Sequence, residues 1–261
     1  MGNITAKYAF YPPQNRYDPS TYPINKINNR HVPYFIIEAN PPTSAWILYS
    51  HANSEDMSTI VKLHQTFQRI HRCNIIVYDY QGYGSNEGTP SEDGCKKDAL
   101  AMFLMLVKEM NIKQKNIALM GHSIGSGPTL WLANQIQNKK LTSYGIEDTS
   151  LGSVFVFCGF TSCCSVVSKK LTWIPFLDIF KNTQMIKELK MPVFIGHGDD
   201  DEVINVQHAY ELYDVIVEKD NKVLYIVEGA HHNDIFMFTE FQCAFLSFLD
   251  NYFVNQLVEN E

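Results

Sequence analysis

Ile117-Ala118-Leu119-Met120-Gly121-His122-Ser123-Ile124-Gly125-Ser126-Gly127-Pro128 decides how the rest of the chain is read. The apolar run 117–120 suits a strand covered on both faces. The residues from Gly125 to Asn138 have the spacing of a helix. Between them, Gly121-His122-Ser123-Ile124-Gly125 fits G-x-S-x-G, and in that context it predicts a nucleophile elbow. Small residues must flank such a serine because backbone segments crowd at the turn. The turn aims the Ser123 hydroxyl out of the sheet top, over a helix N-terminus that favours developing negative charge.

The same alternation continues on both sides. Strands are expected at Tyr34–Glu38, Ala45–Ser50, Asn74–Tyr78, Asn116–Met120, Ser153–Phe157, Pro192–Gly196 and Lys222–Val227. Helical spacing marks 57–70, 92–110, 125–138, 205–217 and 235–253. Strands alternating with helices imply a mostly parallel α/β sheet with helices on both faces. The first two strands, separated by Pro41-Pro42, are expected to pair antiparallel at one edge. Seven of the 11 prolines lie in the first 42 residues. Residues 1–31 therefore read as a proline-rich arm that lies on the body or leads into an edge strand. Residues 32–261 read as a single domain, since a chain of 261 residues can bury one large core.

Charge and composition narrow the function. Lys and Arg total 21 against 28 Asp and Glu, a net charge of −7. That balance disfavours a nucleic-acid partner, which requires a clustered basic surface. No run of 18 apolar residues and no hydrophobic leader is apparent. Cys73, Cys95, Cys158, Cys163, Cys164 and Cys243 form no C-x-x-C pair. The expectation is reduced thiols in the cytoplasm. No metal or cofactor is expected: Gly82-Tyr83-Gly84 lacks the further glycine spacing of a dinucleotide loop, and no P-loop is present.

A serine hydroxyl needs a base, held by a carboxylate, and after this elbow the order is serine, acid, histidine. Asp199-Asp200-Asp201-Glu202 follows one predicted strand, and His231-His232 follows the next. Residue chemistry alone does not choose among the acids or between the histidines. Both groups sit at carboxyl ends of strands, where open α/β sheets build their sites.

Five ordered segments carry a resemblance: Ser50-His51-Ala52-Asn53, Asp79-Tyr80-Gln81-Gly82-Tyr83-Gly84, Gly121-His122-Ser123-Ile124-Gly125, His197-Gly198-Asp199-Asp200-Asp201 and Gly229-Ala230-His231-His232-Asn233-Asp234. Over about residues 33–250 the chain resembles the α/β-hydrolase superfamily, in its membrane-associated serine-hydrolase branch. That branch includes the α/β-hydrolase-domain protein S-depalmitoylases and bud-emergence-like hydrolases. The resemblance implies the α/β-hydrolase fold and a Ser123–His232–Asp201 triad. The pattern H-G-x-x-D-x-V selects Asp201, and G-x-x-H-N-D selects His232. It also implies an oxyanion hole from the backbone N–H groups of Asn53 and Ile124, with the Asn53 side chain bonding its own loop. His51 and His197 read as structural. The chain departs from the family pattern at Ala52 and His231, both glycine in relatives. Alanine at 52 is a strain if that position needs positive φ.

The implied activity is hydrolysis of carboxylic esters or thioesters, including S-acyl groups on proteins. Alternatives are a lipid or small-ester hydrolase, a serine aminopeptidase-like amide hydrolase, and a non-catalytic binding module; the complete Ser-Asp-His set argues against the last. The expected partners are an acyl ester or thioester, acylated membrane proteins, and a membrane surface. A short lid is expected at about 159–185, where Trp173 and Phe176 are candidate acyl-chain contacts. Tyr83 is a candidate pocket-wall residue, although a packed turn accounts for it as well. Met1-Gly2-Asn3-Ile4-Thr5-Ala6 resembles an N-myristoylation start at Gly2, with Ala6 where Ser or Thr is preferred.

Overall fold

The computed structural model describes residues 9–14, 17–18, 20, 22, 24–27, 30–60, 72–167 and 178–258. Its centre is an eight-stranded sheet: β1 (Ile24–Ile27), β2 (Arg30–Ile37), β3 (Trp46–Ser50), β4 (Asn74–Tyr78), β5 (Ile117–His122), β6 (Val154–Phe157), β7 (Val193–Gly198) and β8 (Lys222–Val227). The spatial order is β1-β2-β4-β3-β5-β6-β7-β8. From β4 through β8 the neighbours are parallel, whereas β1/β2 and β2/β4 are antiparallel.

The central strands are apolar throughout because both faces are covered. Leu48, Ile76, Leu119, Val156 and Ile195 point to one face, with Phe103, Leu130 and Leu212 of the helices Glu92–Leu104, Ser126–Gln137 and Gln207–Val215. Ile47, Ile75, Met120, Phe155 and Phe194 point to the other, with Phe241, Phe245 and Phe248 of the helix Thr239–Leu249. This two-residue alternation is the pleat itself.

One pairing differs from expectation. Tyr34–Glu38 does not form a hairpin with Ala45–Ser50: β2 pairs with β4, and β3 is inserted between β4 and β5. Ile47, Leu48 and Tyr49 are each no more than 3% exposed, and so apolar a strand belongs at the sheet centre. β1, which no apolar alternation announces, adds an outer strand through Ile24↔Pro33 and Ile27↔Arg30.

The parallel register positions the site. Ser50 lies opposite Gly121, His122 opposite Phe157, Phe157 opposite Gly196, and Gly198 opposite Val227. The loops leaving β3, β5, β6, β7 and β8 therefore emerge along one rim. Among the described residues, no helix is long and apolar enough to cross a membrane.

Candidate active site

Ser123 leaves β5 with φ +54°, in the left-handed region that side chains rarely occupy. A 3₁₀ turn Ser123–Gly125 then leads into the helix Ser126–Gln137, and the Ser126 hydroxyl donates to the Ser123 carbonyl at 2.7 Å. Gly125 is required by proximity, since a Cβ added there meets the Ser50 carbonyl oxygen at 2.1 Å. The elbow is thereby pressed against the loop carrying His51, Ala52 and Asn53. A similar contact joins the other two loops, because a Cβ on Gly198 would meet the Ala230 carbonyl oxygen at 2.1 Å.

These approaches bring three side chains into one line. His232 Nε2 lies 2.9 Å from Ser123 Oγ, and His232 Nδ1 lies 2.7 Å from Asp201 Oδ2. Ser123, Asp201 and His232 are all buried. Burial alone would raise the Asp201 carboxyl, but hydrogen bonds from His197 and His232 outweigh it and hold the group far below the usual carboxylate range. Asp201 is therefore ionised, so His232 Nδ1 carries a hydrogen and donates it. His232 Nε2 is left to accept from the Ser123 hydroxyl.

The neighbouring acids and the neighbouring histidine face elsewhere. Asp199 accepts from the Gly229 N–H at 2.7 Å at the surface. Asp200 is exposed. His231 is exposed, with Nδ1 3.3 Å from Glu202 Oε2, and hydrogen bonding to the Asp200 carbonyl raises its pKa.

Three residues at the site carry contacts that the sequence did not reveal. His197 Nε2 lies 3.1 Å from Asp201 Oδ2 and 2.8 Å from the Ile204 carbonyl. The carbonyl can only accept, so Nε2 carries the hydrogen and serves both oxygens. His122 Nε2 donates to the His232 carbonyl at 3.0 Å, and the two rings stack with centroids 5.4 Å apart. Burial lowers the His122 pKa. Cys158, with φ +46°, has its sulfur within 4.8 Å of ligand atoms of Asp201 and His232. Those two are engaged with each other, and burial raises the Cys158 thiol pKa well above its usual value, the reverse of what a metal-binding thiolate requires.

The β3 loop departs from expectation in two respects. Among the described residues, positive φ outside glycine occurs at Asn111, Ser123, Lys139, Cys158 and Phe180, so Ala52 sits on ordinary backbone without strain. The Asn53 side chain does not bond its own loop. Its Oδ1 accepts from Tyr83 Oη at 2.6 Å and from the Tyr11 N–H at 2.9 Å, and its Nδ2 donates to the Ala9 carbonyl at 2.8 Å. Among the described residues, no acceptor takes the Asn53 or Ile124 N–H.

His51 is fully buried, with Nδ1 2.8 Å from the Ala52 carbonyl and its ring 4.2 Å from that of Tyr80. Tyr83 is fully buried as well and offers no open wall; it buttresses Asn53 from below. Trp173, Phe176 and Gly2 lie outside the described residues. Of the expected lid, Phe180 is 2% exposed, within the apolar cluster that also holds Phe10, Ile124 and Phe160.

Comparison with known proteins agrees with this architecture. The family model described as serine hydrolase (FSH1) matches residues 37–233. Human alpha/beta hydrolase domain-containing protein 17B is 27% identical over 84% of this chain and 71% of its own length. The Caenorhabditis elegans alpha/beta hydrolase domain-containing protein aho-3 is 28% identical over 82% of this chain and 60% of its own length. Among solved structures, the Pyrococcus furiosus esterase Pf2001 superposes with a TM-score of 0.68 at 15% identity, covering 93% of this chain and 99% of its own. With the α/β-hydrolase fold in place and a family model spanning most of the sheet and its loops, the chain belongs to the serine hydrolase (FSH1) family.

Proposed function

We propose that the chain cleaves carboxylic esters or thioesters through an acyl-enzyme on Ser123, and that long-chain S-acyl groups on proteins are its substrate class. The continuous contact from Asp201 through His232 to Ser123, at 2.7 Å and 2.9 Å, carries this reading. His232 Nε2 takes the Ser123 proton as Oγ bonds to the acyl carbon. Negative charge on the carbonyl oxygen is met by the N–H groups of Asn53 and Ile124. Collapse breaks the bond to the thiolate or alkoxide, which leaves with the proton from His232. A water deprotonated by His232 then attacks the acyl carbon, releasing the acid and restoring Ser123. Asp201 keeps the imidazole in the required tautomer and stabilises its cation.

The S-acyl assignment draws on the resemblance to the depalmitoylase branch. The same resemblance, six cysteines without a disulfide and the Gly2 context support a cytoplasmic protein that touches a membrane peripherally.

Hydrolysis of acyl thioesters from two to sixteen carbons, by wild type and Ser123→Ala, tests both parts. Ser123→Ala is expected to lose roughly 10⁶-fold in kcat, and wild-type turnover is expected to rise with chain length. Equal activity in the variant overturns the mechanism. A flat chain-length profile overturns the substrate class.

A further inference from the structure

The carboxamide of Asn53 is bonded from two directions by parts of the chain that share no sequence motif. From the arm, the Tyr11 N–H and the Ala9 carbonyl pair with its oxygen and nitrogen, as a neighbouring strand would. From the loop after β4, the Tyr83 hydroxyl donates to the same oxygen. Both supports are anchored. Phe10, between the two arm partners, is 5% exposed and meets Phe180 edge-on at 6.2 Å. Tyr83 is fully buried against Tyr80 and His51, with centroids 5.4 Å away in both cases, and Tyr80 Oη donates to the His51 carbonyl at 2.7 Å. Just before Asn53, the Ala52 N–H donates to Glu55 Oε2 at 3.0 Å.

We propose that the Asn53 side chain is a positioning group for its own backbone N–H, held by Tyr83 on one side and by the arm segment Ala9–Tyr11 on the other, so that the arm belongs to the working site. The inference rests on the reading of Asn53 N–H as an oxyanion donor. Such a donor contributes when it is aimed before charge develops. A backbone N–H in a loop is free to turn unless something fixes the residue, and a side chain bonded at both ends of its amide does so. Asn supplies an acceptor and a donor on one rigid plane, which is what a backbone N–H and a backbone carbonyl two residues apart require.

The test is a double-mutant cycle on Asn53→Ala and Tyr83→Phe, with Tyr11→Pro added to delete the arm's N–H. Each variant is expected to lower kcat by about 10- to 100-fold while leaving KM within about twofold, because the donor acts on the transition state. Labelling of Ser123 by a fluorophosphonate slows in parallel. The double variant is expected to be no slower than Asn53→Ala alone, since Tyr83 acts through Asn53. Additive losses, or Tyr83→Phe at the wild-type kcat, overturn the clamp. Tyr11→Pro at the wild-type kcat removes the arm from it. If wild-type Ser123 itself resists the fluorophosphonate, the underlying mechanism fails instead, so the two failures are distinguishable.

Discussion

Asp201 is surrounded by donors. Oδ1 accepts from the N–H groups of Val203 and Ile204 at 2.9 and 2.7 Å, and Oδ2 receives His232 and His197. A buried carboxylate satisfied in this way stays ionised, and its depressed pKa is a stability statement. The sign is that of a depressed acid: the contribution is present above about pH 4, the ordinary carboxylate range, and is lost as pH falls further. His197→Ala removes one donor and brings Asp201 closer to its ordinary value. The variant is expected to melt roughly 5 °C lower at pH 7, and its deficit is expected to shrink below about pH 4. Calorimetry from pH 3 to 7 measures this; a deficit that grows on acidification contradicts the assignment. Ser123 was legible because strand, turn and helix are local. The acid and the base were not fully so, because Asp199, Asp200 and Asp201 are chemically alike, as are His231 and His232. Which one faces inward is set by the close approach of Gly198 to Ala230, a contact between segments more than thirty residues apart. His197 was legible as structural, but its second acceptor was not.

At the scale of elements, seven strands could be read: the five central ones because a strand buried on both faces is apolar without interruption, and β2 and β8 because they are short β-branched and aromatic runs. The pairing of β2 with β4 could not, since neighbours in a sheet are chosen by topology and not by adjacency in the chain. The arm was the least legible part: beyond the short strand β1, its contacts are single polar bonds and isolated ring contacts without periodicity. Tyr17 is the example. Its hydroxyl donates to Asp79 Oδ2 and accepts from the Ser85 N–H at 2.9 Å. Its ring meets Tyr22 at 4.8 Å, and Tyr22 meets Phe35 of β2 at 5.6 Å. Burial, then Asp79, raise the Tyr17 pKa, so it remains a donor throughout the physiological range. Asp79 is itself raised by burial, against the opposing effects of His51 and Tyr17. Tyr17→Phe leaves the ring and deletes the hydroxyl. Losing a hydrogen bond to a carboxyl group costs about 2 kcal/mol, which for a chain of this size lowers the melting temperature by roughly 4–8 °C. An unchanged melting temperature would show that the arm is not tied to the β4 loop through this group.

The whole molecule is electrically divided. Lys7, Arg16, Lys26 and Arg30 against Asp18 and Glu38 leave the first 42 residues at +2, and the remainder at −9. An acidic body is repelled by an anionic membrane, and two net positive charges, at about 1 kcal/mol per basic residue near the surface, do not overcome that repulsion. The proposed membrane contact therefore requires an acyl chain, which we propose for Gly2. One myristoyl group gives only about 10⁴ M⁻¹, a reversible affinity to which a weakly basic arm adds and from which an acidic body subtracts. Such a balance suits the proposed turnover of acylated proteins at a surface, which requires both approach and departure. Protein coexpressed with an N-myristoyltransferase is expected to gain the mass of one myristoyl group and to sediment with vesicles containing phosphatidylserine. Gly2→Ala is expected to remain in the supernatant with unchanged turnover of a soluble thioester. The bound fraction should fall as salt screens the arm's attraction, if the arm lies nearer the surface than the body does. A wild-type mass without the acyl group ends the anchor proposal, and equal sedimentation of Gly2→Ala assigns membrane contact to some other part of the chain.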